Sequence, residues 1–262
     1  MENNTDISYF KPLLEKFCET TIQNFDCGYP YGPFIPYTMP EYINADIRFF
    51  YMGRDTYGWV KKKELISDYK SGNLANYLIK NSSSVDVEKM LEWKNNAGSF
   101  WTMVAKLHLF IRTGQYHDDI TIANQNDKKI LNEIGYGNLN AIECPYSLQT
   151  EGIWKQITSQ EKYWKIKEAG HVFEKIKLIL EAYAPDYIFI FNWEERDDIF
   201  KGLDFKWHKE YYKDGIQAIY TIKGYKTKII WSTHPRRYSF LQTNMKEMIN
   251  NLSETIKTIH TI

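Results

Sequence analysis

Between Pro185 and Asn192 the chain reads Asp186-Tyr187-Ile188-Phe189-Ile190-Phe191, five consecutive bulky apolar residues closed by polar ones. The run is far too short to span a bilayer. It also lacks the alternation of a strand with one wet face, so both of its faces must be buried. A sequence that contains such a run must supply layers to cover it. Three further runs read the same way. Ile47 to Met52 carries one charge, Arg48, and ends at Gly53. Asn138 to Cys144 stops at Pro145, and Lys228 to Trp231 runs into Ser232-Thr233-His234-Pro235. Residues 216–222 and 225–231 flank Lys223-Gly224 and read as a hairpin.

Helical periodicity lies between these runs. Leu14, Phe17, Cys18, Ile22 and Phe25 share one face of residues 13–25, and residues 99–112 read as a buried helix. Residues 168–183 place Val172, Phe173, Ile176, Ile179, Leu180 and Tyr183 on one stripe. The last helix, residues 244–260, opens with Asn244 and Glu247 at capping-box spacing. Four prolines between Cys27 and Tyr42 (Pro30, Pro33, Pro36 and Pro40) exclude helix and inner strand there. That segment reads as a stiff surface stretch whose tyrosines pack down. The alternation predicts an α/β fold: a three-layer sandwich with a central, mostly parallel sheet and helices on both faces. One domain over residues 1–262 is expected, with residues 1–45 as a lead-in and 243–262 as a closing helix.

Composition narrows the function classes. Aromatic residues make up 16% of the chain, which supplies ample core material and excludes disorder for most of it. Charge balances at 33 basic against 33 acidic residues, so any case for nucleic acid must rest on local charge. Cys18, Cys27 and Cys144 are an odd, scattered set without a CxxC pair. They argue against a disulfide framework, a zinc ribbon and a four-cysteine iron–sulfur cluster. With a polar, acidic start and no membrane span, a soluble cytoplasmic protein is expected, monomeric and without cofactor or metal.

Parallel strands gather their C-terminal ends along one edge, and ligands bind there. The polar residues just past each run, Asp55, Asn140, Asn192 and His234, are therefore expected to share a crevice. Asp55 sits in a glycine-flanked turn, where it serves either a ligand or the cap of a following helix. Asn140 offers a donor and an acceptor to a base edge, or ties down a loop. His234 stands before Pro235, Arg236 and Arg237 and is either chemical or structural. Five basic residues and no acid lie between positions 220 and 240, and Lys61, Lys62 and Lys63 follow the Asp55 turn. Such clusters position phosphates or form an ordinary solvated face. Glu194, Glu195, Asp197 and Asp198 make an acidic loop that would have to avoid DNA.

Three of these segments together resemble a known family. Gly53-Arg54-Asp55-Thr56-Tyr57 resembles the GQDPY motif of the uracil-DNA glycosylase superfamily, and Ser232-Thr233-His234-Pro235 resembles its HP motif. Asn140-Ala141-Ile142-Glu143-Cys144 is similar to the asparagine-led strand end of several of its branches, and the order agrees over roughly residues 26 to 240. The resemblance implies an enzyme that hydrolyses the N-glycosidic bond of a flipped uracil or related modified base in DNA, a step of base-excision repair. Asp55 would then stabilise the cationic sugar and orient water. Asn140 would read the base, His234 would hold the departing base as it gains charge, and Tyr57 would screen its C5 position. Gly53, Arg54 and an aromatic platform such as Phe100 or Trp101 would complete the base pocket. Lys61, Arg236 and Arg237 would meet DNA, and Tyr238, Phe240 or Leu241 would wedge into the vacated stack. Such a reaction builds positive charge on the sugar and negative charge on the base, so a carboxylate facing a fixed donor suits it.

The departures are specific. Arg54 stands for the usual glutamine, Thr56 for proline, Gly58 for a frequent histidine, and Arg236-Arg237 for the common serine-proline after HP. They fit a branch that takes another base or one that has lost catalysis. A non-catalytic nucleic-acid or nucleotide-binding module on the same fold is the alternative. An unrelated α/β enzyme has less behind it, since the chain has no GxSxG elbow, P-loop or GxGxxG.

Overall fold

A computed structural model describes residues 35–53, 86–97, 99–120, 124–139, 147–150, 153–156, 175–192, 197–209, 215–241 and 243–260. Its strands are β1 (Tyr37–Thr38), β2 (Phe49–Gly53), β3 (Ile134–Asn138), β4 (Ser147–Thr150), β5 (Ile153–Gln156), β6 (Tyr187–Phe191), β7 (Phe205–Trp207), β8 (Ile216–Ile222) and β9 (Lys228–Ser232). Its α-helices are α1 (Val87–Ala97), α2 (Ser99–Thr113), α3 (Gln125–Leu131), α4 (Lys175–Tyr183) and α5 (Met245–Ile259). Strands β4 and β5 pair with each other, and the rest form a seven-stranded sheet in the order β1-β3-β2-β6-β9-β8-β7.

The fold is α/β, but the sheet is mixed rather than mostly parallel. Its middle, β3-β2-β6-β9, is parallel throughout. Both margins are antiparallel, with β1 against β3 on one side and β7-β8-β9 on the other. Chain economy explains the second margin. Lys223-Gly224 turns β8 straight back into β9, with Gly224 at φ +85°, a conformation glycine adopts without steric cost. So short a connection can join only antiparallel strands.

The inner strands are apolar on both faces because both are covered. All five residues of β2 and of β6 are buried. Phe49 and Tyr51 face α2, where each meets the His108 ring edge-on. Phe50 turns to the other face and stacks on Tyr183 of α4, 5.6 Å between ring centres. Helices α2 and α5 share one core with Phe49, Tyr51, Phe189 and Phe191 through Met103, Leu107, Met248, Ile249 and Leu252. Helix α5 opens as its sequence predicts: the Asn244 side chain accepts from the Glu247 N–H at 3.0 Å, and Glu247 accepts from the Asn244 N–H at 3.2 Å. On α4, Ile176, Ile179, Leu180 and Tyr183 are buried as the stripe requires. Val172 and Phe173 lie outside the described residues, as does the 13–25 helix. Among the described residues, the proline-rich lead-in contributes a two-residue edge strand, β1, and Tyr42 is buried beyond it.

Strand β3 lies ahead of the run read as a strand from Asn138 to Cys144, of which residues 140–144 lie outside the described residues. It spans Ile134–Asn138, so the apolar run read as a strand from Asn138 begins where the strand ends. Its two glycines hid it, because glycine in a short run reads as a break. Both are structural. A Cβ on Gly135 would lie 2.3 Å from the Phe50 ring and 2.9 Å from the Tyr42 ring. Glycine here lets two large rings, set edge to face at 88°, close against the strand.

Candidate functional site

Register brings the strand ends into one row. Gly53 pairs with Asn138, Met52 with Ile190, and Phe191 with Ser232. One residue further on, the Leu139 N–H donates to the Gly53 carbonyl (2.8 Å) and the Asn192 N–H to the Ser232 carbonyl (3.0 Å). Gly53, Leu139, Asn192 and Thr233 thus lie along a single edge where the described chain leaves the sheet. Strand order reverses beside β2, since β3 lies on one side of it and the later β6 on the other. In open α/β sheets such a reversal opens the crevice in which ligands sit.

Gly53 is at that reversal. A Cβ there would lie 2.7 Å from Asn138 Oδ1 and 3.4 Å from the Phe100 ring. Glycine therefore admits the Asn138 amide across the end of β2. Phe100, in the first turn of α2, is half-buried and packs its ring at 6.1 Å from Phe191 and 5.1 Å from Trp101. Trp101 turns instead toward Tyr136, at 5.5 Å. Asn138 was not among the residues expected here. The misplacement of β3 concealed it, and the Gly-Tyr-Gly-Asn pattern was the available signal.

At the end of β9, Ser232 and Thr233 are buried and locked. The Ser232 hydroxyl donates to the Gly215 carbonyl at 2.9 Å. The Thr233 N–H reaches the same carbonyl at 2.9 Å, and the Gln217 amide donates to the Thr233 hydroxyl at 3.0 Å. These bonds hold the backbone from which half-buried His234 projects. A 3-10 helix, Pro235–Leu241, starts immediately and aims the Arg236 N–H at His234 Nδ1, 3.3 Å away. The neutral ring then keeps its proton on Nε2, which makes that nitrogen the donor. Arg236 and Arg237 are exposed beside it.

Two expectations are corrected. Tyr238 is 4% exposed and belongs to the core shared by α2 and α5, so it cannot wedge between bases as placed. The 3-10 helix turns its ring inward, and burial pushes the hydroxyl far above the ordinary tyrosine value. Nor is the basic segment 220–240 one patch. Strand β9 separates its parts by about 16 Å at 3.3 Å per residue. Lys223 pairs with Asp204 (3.2 Å) and Lys226 with Asp186 (2.7 Å) at the far edge, leaving Arg236 and Arg237 near His234.

Arg54, Asp55, Tyr57, Lys61 and Asn140 lie outside the described residues, as do Glu194 and Glu195 and the side chains of Phe240 and Leu241. Among the described residues, no group of three or more His, Cys, Asp or Glu side chains is placed to hold a metal ion, and no helix is long and apolar enough to cross a membrane. The chain matches no protein-family model and no curated protein sequence.

Proposed function

We propose that this protein is a DNA N-glycosylase that releases uracil or a related modified base from a flipped nucleotide, with Asp55 and His234 as its catalytic pair. The observation that carries the reading is the row of strand ends. Gly53, which precedes Asp55 by two residues, the end of β3 and the His234 corner follow three strands of one parallel block, β3-β2-β6-β9, with β2 and β3 adjacent and β9 one strand beyond β6. Two details support it. The Arg236 N–H occupies His234 Nδ1, which leaves Nε2 as the proton-bearing nitrogen that the departing base would need. The half-buried Phe100 ring against Gly53 suits a platform for an extruded base.

In this mechanism the carboxylate of Asp55 opposes the positive charge that grows on the sugar as the N-glycosidic bond lengthens, and it orients the attacking water. Asn140 reads the base and Tyr57 screens its C5 position. The base leaves with the bonding electrons, and His234 stabilises it by donating a hydrogen bond. Arg236, Arg237 and Lys61 hold phosphates. The finer architecture belongs to the same proposal: a three-layer sandwich, with α2 and α5 on one face and α4 on the other. So do the DNA partner and a cytoplasmic setting.

The experiment is an abasic-site assay on oligonucleotides that carry uracil or a panel of modified pyrimidines. Base release is expected, and Asp55→Asn and His234→Ala should each lower its rate about 100-fold with little change in folding. An Asp55→Asn variant as active as the parent would overturn the mechanism. Salt-dependent DNA affinity without abasic product would select the non-catalytic binding module instead.

A further inference from the structure

Beneath β2, on the face that α2 covers, lies a buried polar chain that the proposed chemistry does not use. Tyr51 and His108 are both wholly buried, and the Tyr51 hydroxyl stands 2.9 Å from His108 Nδ1. Across the ring, Glu133 Oε2 lies 3.8 Å from Nε2, and Arg112 Nε lies 3.0 Å from that same oxygen. The imidazole therefore faces Tyr51 and Phe49 of β2, Arg112 of its own helix, and Glu133 with the Ile130 carbonyl from the α3–β3 junction. Lys129 acts on Glu133 from the same junction.

This arrangement selects one tautomer. A lone pair on Nε2 would confront the Glu133 carboxylate, so Nε2 carries the proton and Nδ1 accepts from the Tyr51 hydroxyl. Protonation removes the Nδ1 lone pair. The phenol oxygen must then accept, and its hydrogen swings toward packed rings. A buried donor left without an acceptor is costly. Tyr51 also begins a ladder of rings: it stacks on Phe189 at 5.4 Å, Phe189 on Phe191 at 6.2 Å, and Phe191 meets Phe100 at 6.1 Å. The ladder ends against Gly53.

We propose that His108 is an acid-sensitive latch between α2 and β2. In its neutral form it holds the strand through the Tyr51 hydroxyl, and on protonation it reverses that hydrogen bond and loosens the ladder supporting the ends of β2 and β6.

Burial holds His108 below the ordinary histidine value, against the upward pull of Glu133. The unfolded chain takes up this proton near pH ~6.5, whereas the folded chain resists it. The latch contribution is therefore complete above that pH and declines as the pH falls toward the folded value. Burial alone would raise Glu133, but His108 and Arg112 outweigh it and keep the carboxylate below its usual range.

The test is nitrogen NMR of the full chain with labelled imidazoles, with His108 assigned by His108→Gln, alongside near-ultraviolet circular dichroism. His108 should hold the Nε2–H tautomer at neutral pH and titrate below the ordinary histidine value, with an aromatic signal change at the same midpoint. Tyr51→Phe keeps the ring stack but removes the hydroxyl. It should raise the His108 midpoint and uncouple it from the aromatic change. Glu133→Gln should lower the midpoint further. A wild-type titration near the ordinary histidine value without aromatic change, or an unaltered titration in Tyr51→Phe, overturns the latch.

Discussion

The two ends of the same four parallel strands are finished in opposite ways. At the N-terminal end one carboxylate joins neighbouring strands. Asp186 accepts from the Arg48 N–H at 2.9 Å and pairs with Lys226 at 2.7 Å. Its own backbone exchanges bonds with Arg48 and Lys228. Phe50, Tyr42 and Tyr183 close the adjoining face with rings. At the C-terminal end the described strand termini carry no carboxylate, ammonium or guanidinium group: Asn138, Gly53, Asn192 and the Thr233-His234 corner. Backbone bonds fix those termini. The difference teaches which end is a fastening; under the proposed function, the other is the end that meets DNA.

The largest effect is expected where the fastened end is packed most tightly. Gly135→Ala drives a methyl group into the Phe50 and Tyr42 rings, which are themselves buried and cannot swing away. A loss of about 3 kcal/mol is expected, at the upper end for overpacking. Urea unfolding measures it, and a variant as stable as the parent would show that the rings do not bear on the strand. Asp186→Ala should cost about 2 kcal/mol, chiefly through the orphaned Arg48 N–H. Lys226 adds little, because its side chain is 78% exposed. The same unfolding experiment at raised salt sharpens this point: the cost should scarcely change if the hydrogen bond dominates, and should shrink if the ion pair does.

Legibility in the sequence followed the same division. Strand β6 matches its sequence boundaries because five bulky residues without alternation admit one reading. The α5 cap and the Lys223-Gly224 hairpin were legible because each depends on groups only a few residues apart. Strand β3 was not legible. Gly135 and Gly137 answer to Phe50 and Tyr42, which are distant in sequence, and no local pattern records that contact. The same glycines conceal Asn138, whose amide lies over Gly53. Tyr238 was misread because a side chain in a 3-10 turn after a strand can face either way, and packing against α2 and α5 decides it. Counting charge along residues 220–240 merged two groups that β9 holds apart. The antiparallel margin β7-β8-β9 was only half visible, since β7 spans just three residues.

The most direct measurement of which end is the working one is backbone amide NMR during titration with a uracil-containing oligonucleotide. Progressive shifts are expected at Gly53, Asn138, Ser232, Thr233, His234, Arg236 and Arg237, with Arg48, Asp186 and Lys226 unmoved. Shifts confined to the Arg48–Asp186–Lys226 end, with Gly53 and His234 silent, would contradict it.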